Sequence, residues 1–528
     1  MYSKRLLAAA FAVKSCFAAV SKARDDTRCT ETTVAILGGG MAGVAAAQAL
    51  SNSSVHDFVI IEYQDKLGGR VHHTNFGQDE NGDPYTVELG ANWVQGLGSP
   101  EGPENPIWTF VKKWGLNNTY SNYSSIRTYN ETGYTDYSSL FDKYKTKYDT
   151  TSDLAGTILK ANYQDMTVRS GFSLAGWKPK RDDMTAQAVE WWEWDWEDAS
   201  SPEQSSLVFG VAGNNLTFNQ FSDENNYVWD QRGYSRIITG EASIFLKKDD
   251  PRVHLNSRIT KISHADDGVT VYKDDGSCIS AAYAVCTFSL GVLQSETINF
   301  TPDLPDWKKT SIEKFHMGTY TKIFLQFNET FWPKDTQFFL YASPTTRGYY
   351  PVWQSLSTPG FIPGSNIIFV TVVGEQAYRA ERQTDEQTKE EVMKVLREMY
   401  PNIDIPEPTA FMYPRWSTTP WAYGSYSNWP AATTLEMHEN FRANVNRLWF
   451  AGEATSAQYF GFLHGAWFEG RNAGEQIAAL LNDECANITS TSEACGNLRH
   501  YEKLYGSSPL ADYSVFDGWP VSSFYSSS

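Results

Sequence analysis

The sequence predicts an α/β protein built on a Rossmann-type dinucleotide-binding domain, and three adjacent features carry that prediction. Thr33-Val34-Ala35-Ile36-Leu37 is a continuous apolar run of the kind a buried parallel strand shows. It runs straight into Gly38-x-Gly40-x-x-Gly43, where a helix is expected from Met41 to about Leu50. Phe58-Val59-Ile60-Ile61 reads as a second buried strand and ends in the acidic Glu62, 19 positions after Gly43. In that context the glycines permit a tight turn and close approach of a pyrophosphate. The helix N-terminus stabilises its charge, and Glu62 can hold a ribose hydroxyl.

With 528 residues the chain is long enough for two or three domains, and 41% hydrophobic with 14% aromatic residues excludes a disordered or collagenous polymer. A net charge of −18 repels phosphate backbones and favours cationic ligands, so no nucleic-acid partner is expected. Lys4-Arg5 followed by the eight apolar residues Leu6 to Val13 is too short to span a bilayer and reads as a signal peptide over roughly residues 1–23. Asn-x-Ser/Thr acceptors at Asn52, Asn117, Asn122, Asn130, Asn215, Asn299, Asn328 and Asn487 agree with secretion. Of the six cysteines, Cys16 falls in the leader, and Cys485 and Cys495 flank a short polar loop that suits a disulfide. Cys29, Cys278 and Cys286 cannot be paired from sequence. No later stretch has the ~18 uninterrupted apolar residues of a membrane span, so a soluble, secreted monomer without membrane contact is expected.

From about 115 to 225, sequons and Tyr/Ser-rich loops lead to Trp191, Trp192, Trp194 and Trp196 interleaved with Glu193, Asp195, Glu197 and Asp198. This reads as an amphipathic stretch in an inserted, mostly helical region. Strands are predicted at Arg258–Ile262 and Gly268–Tyr272, with Asp274-Asp275-Gly276 as a hairpin turn, and again at Thr319–Phe327 and Ile367–Val373. A helix from about Asp385 to Tyr400 stops before Pro401, and the last helix runs from about His464 to Leu481.

Two more segments speak to the same ligand. Lys66-Leu67-Gly68-Gly69-Arg70 offers a glycine pair and a guanidinium just past Glu62, and Leu448-Trp449-Phe450-Ala451-Gly452-Glu453 repeats the strand-then-glycine-acid format. Together with Leu89-Gly90-Ala91-Asn92-Trp93, Thr319-Tyr320-Thr321-Lys322-Ile323-Phe324-Leu325, Pro414-Arg415-Trp416 and Ser427-Asn428-Trp429-Pro430, they make the chain resemble the flavin-containing amine oxidases from about residue 33 to 482. Within that family it most resembles the secreted plant-type polyamine oxidases. The resemblance implies the two-domain architecture of FAD-linked amine oxidases. A Rossmann-type FAD-binding domain would come from 31–115, 224–312 and 420–482, an α+β substrate-binding domain from 116–223 and 313–419, and a tail from 483–528. It implies FAD held along Gly38, Gly40, Gly43, Glu62, Gly69, Arg70, Ile259 (by its backbone, at the adenine), Trp416 and Glu453, and no metal.

A lysine in a strand is usually a solvated edge charge, but Lys322 shares its face with Tyr320, Phe324 and Gln326. A desolvated lysine tends to a lowered pKa and can hold a water or relay protons. The resemblance places Lys322 at the flavin N5 through a water, Tyr426 and Phe462 as aromatics flanking the substrate, and Tyr320 along the pocket. Two departures concern charge. Gln95 stands where relatives carry a glutamate, and Asp198 follows the retained Glu197 where a relative has an aromatic. The expectation is that Asp198, with Glu197, binds a distal ammonium and partly offsets the loss at Gln95. The implied reaction is oxidation of spermine, spermidine or N-acetyl derivatives by oxygen, with hydrogen peroxide released. Two alternatives stay open: a monoamine or L-amino acid oxidase, the latter needing an arginine for the substrate carboxylate, and a flavin-binding interaction protein whose chemistry has lapsed.

Overall fold

The computed structural model describes residues 29–99, 102–161 and 163–482, so the expected signal peptide, the tail and the expected Cys485–Cys495 disulfide lie outside the described residues. Strand β1 (Thr30–Leu37), helix α1 (Met41–Asn52) and strand β2 (Phe58–Ile61) follow the order the glycine motif demands. β1 lies between β2 and Cys278–Cys286 and is parallel to both. On its other edge Cys278–Cys286 serves two neighbours: its first half pairs antiparallel with Val269–Lys273 and its second half parallel with Leu448–Phe450. Asp274-Asp275-Gly276 makes the first of these a hairpin, with Gly276 at φ +84°. Val253–His254 lies beyond β2 at one edge, while Ile259–His264 and Asn299–Thr301 complete the other. Small residues let the last helix, Leu463–Leu481, lie against α1, since a Cβ at Gly470 would stand 2.1 Å from the Ala42 carbonyl oxygen. A disulfide joins Cys29 to Cys278, fastening β1 to its neighbour, and Cys286 is a buried free thiol.

A second sheet runs Ala410–Met412, Tyr320–Gln326, Ile367–Val373, Val352–Ser355, Phe338–Ala342, Ile126–Asn130, Gly133–Tyr134. Ile367–Val373 is buried throughout, which its unbroken apolar run requires. The predicted helical insertion is corrected in one respect. Alongside helices Ser139–Lys160, Val168–Ala175, Met184–Glu190 and Leu207–Gln220, it contributes Asn118–Tyr120 to a small sheet and Ile126–Asn130 to the large one. Runs of three to five polar-rich residues carry no periodic signal, and their partners come from far along the chain.

The tryptophan-rich stretch is not amphipathic. Trp191, Trp192, Trp194 and Trp196 are buried; so are Glu190 and Asp195, which an arginine from elsewhere enters the interior to meet, and Asp198, which accepts from Asn214, while Glu193 is exposed. The stretch passes through a π-helical turn, Trp191–Asp195, and Trp192 stacks on Trp196 with centroids 4.6 Å apart and planes at 12°. Among the described residues no helix is long and apolar enough to cross a membrane, and no cluster of ligating side chains suits a metal.

Candidate active site

The principal cavity among the described residues draws its walls from both large sheets and from the loops between them. At one end sits the first glycine loop. Gly38 has φ +120°, and a Cβ at Gly43 would fall 2.0 Å from the Gly38 carbonyl oxygen, so Gly43 serves close packing and does not itself line the cavity. Gly69, at φ +58°, brings the second glycine loop so near that its Cβ would be 3.1 Å from the Gly40 Cα. α1 begins without a side-chain cap and with no acid in its first turn, although Met41 and Ala42 are buried in the cavity wall. A buried helix end of this kind leaves its first amides for an anion.

Glu62 closes the β2 end. Its Oε2 accepts from the Gly39 amide at 2.6 Å and its Oε1 from the Gln64 amide at 2.8 Å. Burial pushes its carboxyl above the ordinary value while those amides oppose the shift. Ile259 lines the wall beside Ser257 and Arg258. Arg70 Nη1 donates to Glu453 Oε1 and to the Ser425 carbonyl, each at 2.8 Å. Glu453 Oε2 accepts from Ser427 Oγ at 2.6 Å and from the Gly461 amide at 2.9 Å. Glu453 therefore faces the cavity and also ties three separate loops together. Two touching glycine loops, a bare helix N-terminus and a carboxylate beyond them fit a dinucleotide of the size of FAD.

Lys322 stands between the two halves of the cavity. On Tyr320–Gln326 it pairs with Thr371 of the neighbouring strand and is buried, and its Nζ donates to Asn92 Oδ1 at 2.6 Å, to the Gly90 carbonyl at 2.7 Å and to the Glu88 carbonyl at 3.1 Å. Three acceptors match an ammonium's three protons one for one. Burial pushes this amine down and the Glu88 carboxyl up, and the attraction between the two opposes both shifts. Nζ also lies 5.3 Å from the centroid of Trp93.

The far half is aromatic. Tyr320 and Tyr426 have centroids 6.1 Å apart, and Phe462 stacks on His464 at 5.2 Å. Trp416 is buried in the wall toward the glycine loops and meets Trp421 edge-on. Gln95, Glu197 and Asp198 all line this end, but Gln95 is not free for a ligand alone: its Nε2 donates to Glu197 Oε1 at 2.5 Å. Asp198 Oδ2 accepts from Asn214 at 3.2 Å, and the Tyr426 hydroxyl donates to the Glu197 carbonyl at 2.7 Å. Burial pushes the Glu197 carboxyl up to about 7, and burial together with Glu197 pushes Asp198 well above its ordinary value.

Sequence reasoning missed Glu88, Asn92 and His464 as individuals. Asn92 lay inside the Leu89-to-Trp93 motif, and its role emerges only when that loop is set against a strand 230 residues away. His464, in the cavity wall, bonds to Asn105 and Thr217, and burial pushes its imidazole down to about 3, so it is neutral.

A Rossmann sheet, a bipartite diphosphate cradle and an aromatic chamber meeting at a buried lysine define a dinucleotide-dependent oxidoreductase of two-sheet architecture. Residues 41–478 match the flavin containing amine oxidoreductase family, and the chain belongs to that family as an FAD-dependent amine oxidase. Its sequence is 38% identical to polyamine oxidase 1 of Zea mays over 84% of this chain and 89% of that one. It is 37% identical to polyamine oxidase 7 of Oryza sativa subsp. japonica over 83% and 93%. In fold it is similar to wild-type putrescine oxidase bound to putrescine, with a TM-score of 0.66 at 16% identity over 85% of this chain and all of that one.

Proposed function

We propose that this amine oxidase acts on linear polyamines, spermine and spermidine or their N-acetyl derivatives, at a carbon next to a secondary amine nitrogen. Oxygen and water enter; an aminoaldehyde, a smaller amine and hydrogen peroxide leave. The observation that carries the substrate class is the adjacent pair Glu197 and Asp198 at the aromatic end of the cavity, where no arginine among the described residues lines the wall. The cavity's arginines, Arg70 and Arg258, come from the segments that adjoin the glycine loops and Glu62. That arrangement suits a flexible polycation and offers no partner to an amino-acid carboxylate. The polyamine oxidases of maize and rice support the same reading.

FAD, when bound, supplies the acceptor for a hydride from the carbon beside the nitrogen. We assign it to Gly38, Gly40, Glu62, Gly69, Arg70, Ile259, Trp416 and Glu453, with Gly43 keeping the loop close. Tyr426 and Phe462 flank the alkyl chain and exclude water, so the donor carbon is held in position. Lys322 holds protons at the junction: as an ammonium it saturates its three acceptors, and as an amine it frees a lone pair for a proton from water. Glu197 and Asp198 receive a distal ammonium. The test is whether the yellow protein releases peroxide with spermine or spermidine but not with phenylalanine, with products identified by mass spectrometry. Peroxide from phenylalanine alone would overturn the reading.

We also propose that the protein is secreted. A disulfide between Cys29 and Cys278 suits an oxidising compartment, and the sequon asparagines Asn52, Asn117, Asn122, Asn299 and Asn328 are exposed. Protein recovered from culture medium should lose mass on treatment with an N-glycosidase.

A further inference from the structure

We propose that Arg347 is a positioning residue: it fixes the turn that carries Glu197 and Asp198, and through them sets selectivity for substrates bearing a second ammonium. The proposal rests on the polyamine reading above.

Arg347 lies between strands Phe338–Ala342 and Val352–Ser355 and does not line the cavity. Its guanidinium grips Asp195 in bidentate fashion, Nη1 to Oδ2 at 2.5 Å and Nη2 to Oδ1 at 2.6 Å, and Nη2 reaches Glu190 Oε1 at 2.9 Å. Glu190, fully buried, is shared with Arg169 through both terminal nitrogens and accepts from Trp177 Nε1 at 2.9 Å. Arg169 Nε continues to Glu203 at 2.7 Å. Two cations and three carboxylates thus brace the π-helical turn from behind. Next to the clamp, a Cβ at Gly348 would be 2.7 Å from Trp191 Nε1, so the Arg347 loop is seated directly on the turn.

The turn's other end is equally held. Ala199 adopts φ +49° and is packed against Gly318, where a Cβ would stand 2.9 Å from the Ala199 methyl. Between the two anchors, Trp196, Glu197 and Asp198 are the residues that reach the cavity. A buried ionic network of this kind contributes little net stability against an apolar replacement, whereas its planar, bidentate geometry fixes orientation. Lysine cannot reproduce the fork.

The FAD-loaded enzyme would be compared with Arg347→Lys, Arg347→Met and the charge-balanced Arg347→Met/Asp195→Asn variant. The last removes the clamp without stranding a buried charge and serves if Arg347→Met does not fold. Substrates are spermidine and dibutylamine, a secondary amine with one charge. The double variant should keep its flavin and raise KM for spermidine about tenfold, with kcat and the dibutylamine KM changed by less than about twofold. Arg347→Lys should fall between. The near-ultraviolet circular dichroism of the Trp192–Trp196 stack should weaken in step, a readout independent of turnover. A folded variant whose selectivity and dichroism both match the parent would overturn the positioning role, as would equal KM increases for both substrates. A parent enzyme that takes dibutylamine as readily as spermidine would instead overturn the polyamine reading.

Discussion

Lys322 Nζ lies 2.6 Å from Asn92 Oδ1, so the buried cation at the centre of the cavity is oriented by an amide from a loop 230 residues earlier. With the Gly90 and Glu88 carbonyls, Asn92 completes a three-acceptor cradle. Replacing Asn92 by alanine leaves one ammonium proton without its protein partner in a buried site, which should cost about 1–3 kcal/mol in urea unfolding. Lys322→Met should remove proton handling and slow amine oxidation or flavin reoxidation by about 10²–10⁴-fold, resolved by stopped-flow absorbance. Rates within experimental error of the parent would take Lys322 out of the chemistry.

The pH response should follow Glu197. Its folded value of about 7 is raised above the ordinary carboxyl range by burial, so it is neutral below that pH and an anion above it. KM for spermidine should therefore fall as pH rises through 7, and Glu197→Gln should flatten that limb. Stability has the opposite sign. A raised carboxyl contributes fully below its unfolded value of 4.5 and loses that contribution as pH climbs through about 7, so the parent's Tm should drop across that window more than that of Glu197→Gln.

Gly43→Ala tests the first glycine loop. The new methyl would meet the Gly38 carbonyl oxygen at 2.0 Å and push the loop away from α1. Overpacking of this type costs about 1–3 kcal/mol, and the purified variant should show a lower ratio of flavin to protein absorbance. A variant with full flavin content would show that the loop tolerates the shift.

The Cys29–Cys278 bridge encloses a sequence separation of 249 residues, for which loop-closure entropy gives about 5 kcal/mol. Cys29→Ser and Cys278→Ser should each lower Tm, and the pair together should lower it no further than either alone. Cys286, buried and with its thiol pushed up to about 12, should resist alkylation until the protein unfolds.

Much of this protein is legible in one dimension. The βαβ start, the Asp274–Gly276 hairpin turn and the buried strand around Lys322 are local, because apolar run length, glycine placement and alternation act over a few residues. The family and its flavin follow from motifs whose chemistry is also local. What the tertiary structure alone decided is which distant groups meet. It set Asn92 against Lys322, joined Gln95 to Glu197, paired Cys29 with Cys278, and brought Arg347 inward to Asp195, an acid that alternation had assigned to a wet face. A carboxylate's cost of burial depends on its partner, and the partner is chosen by the fold, not by the neighbouring residues.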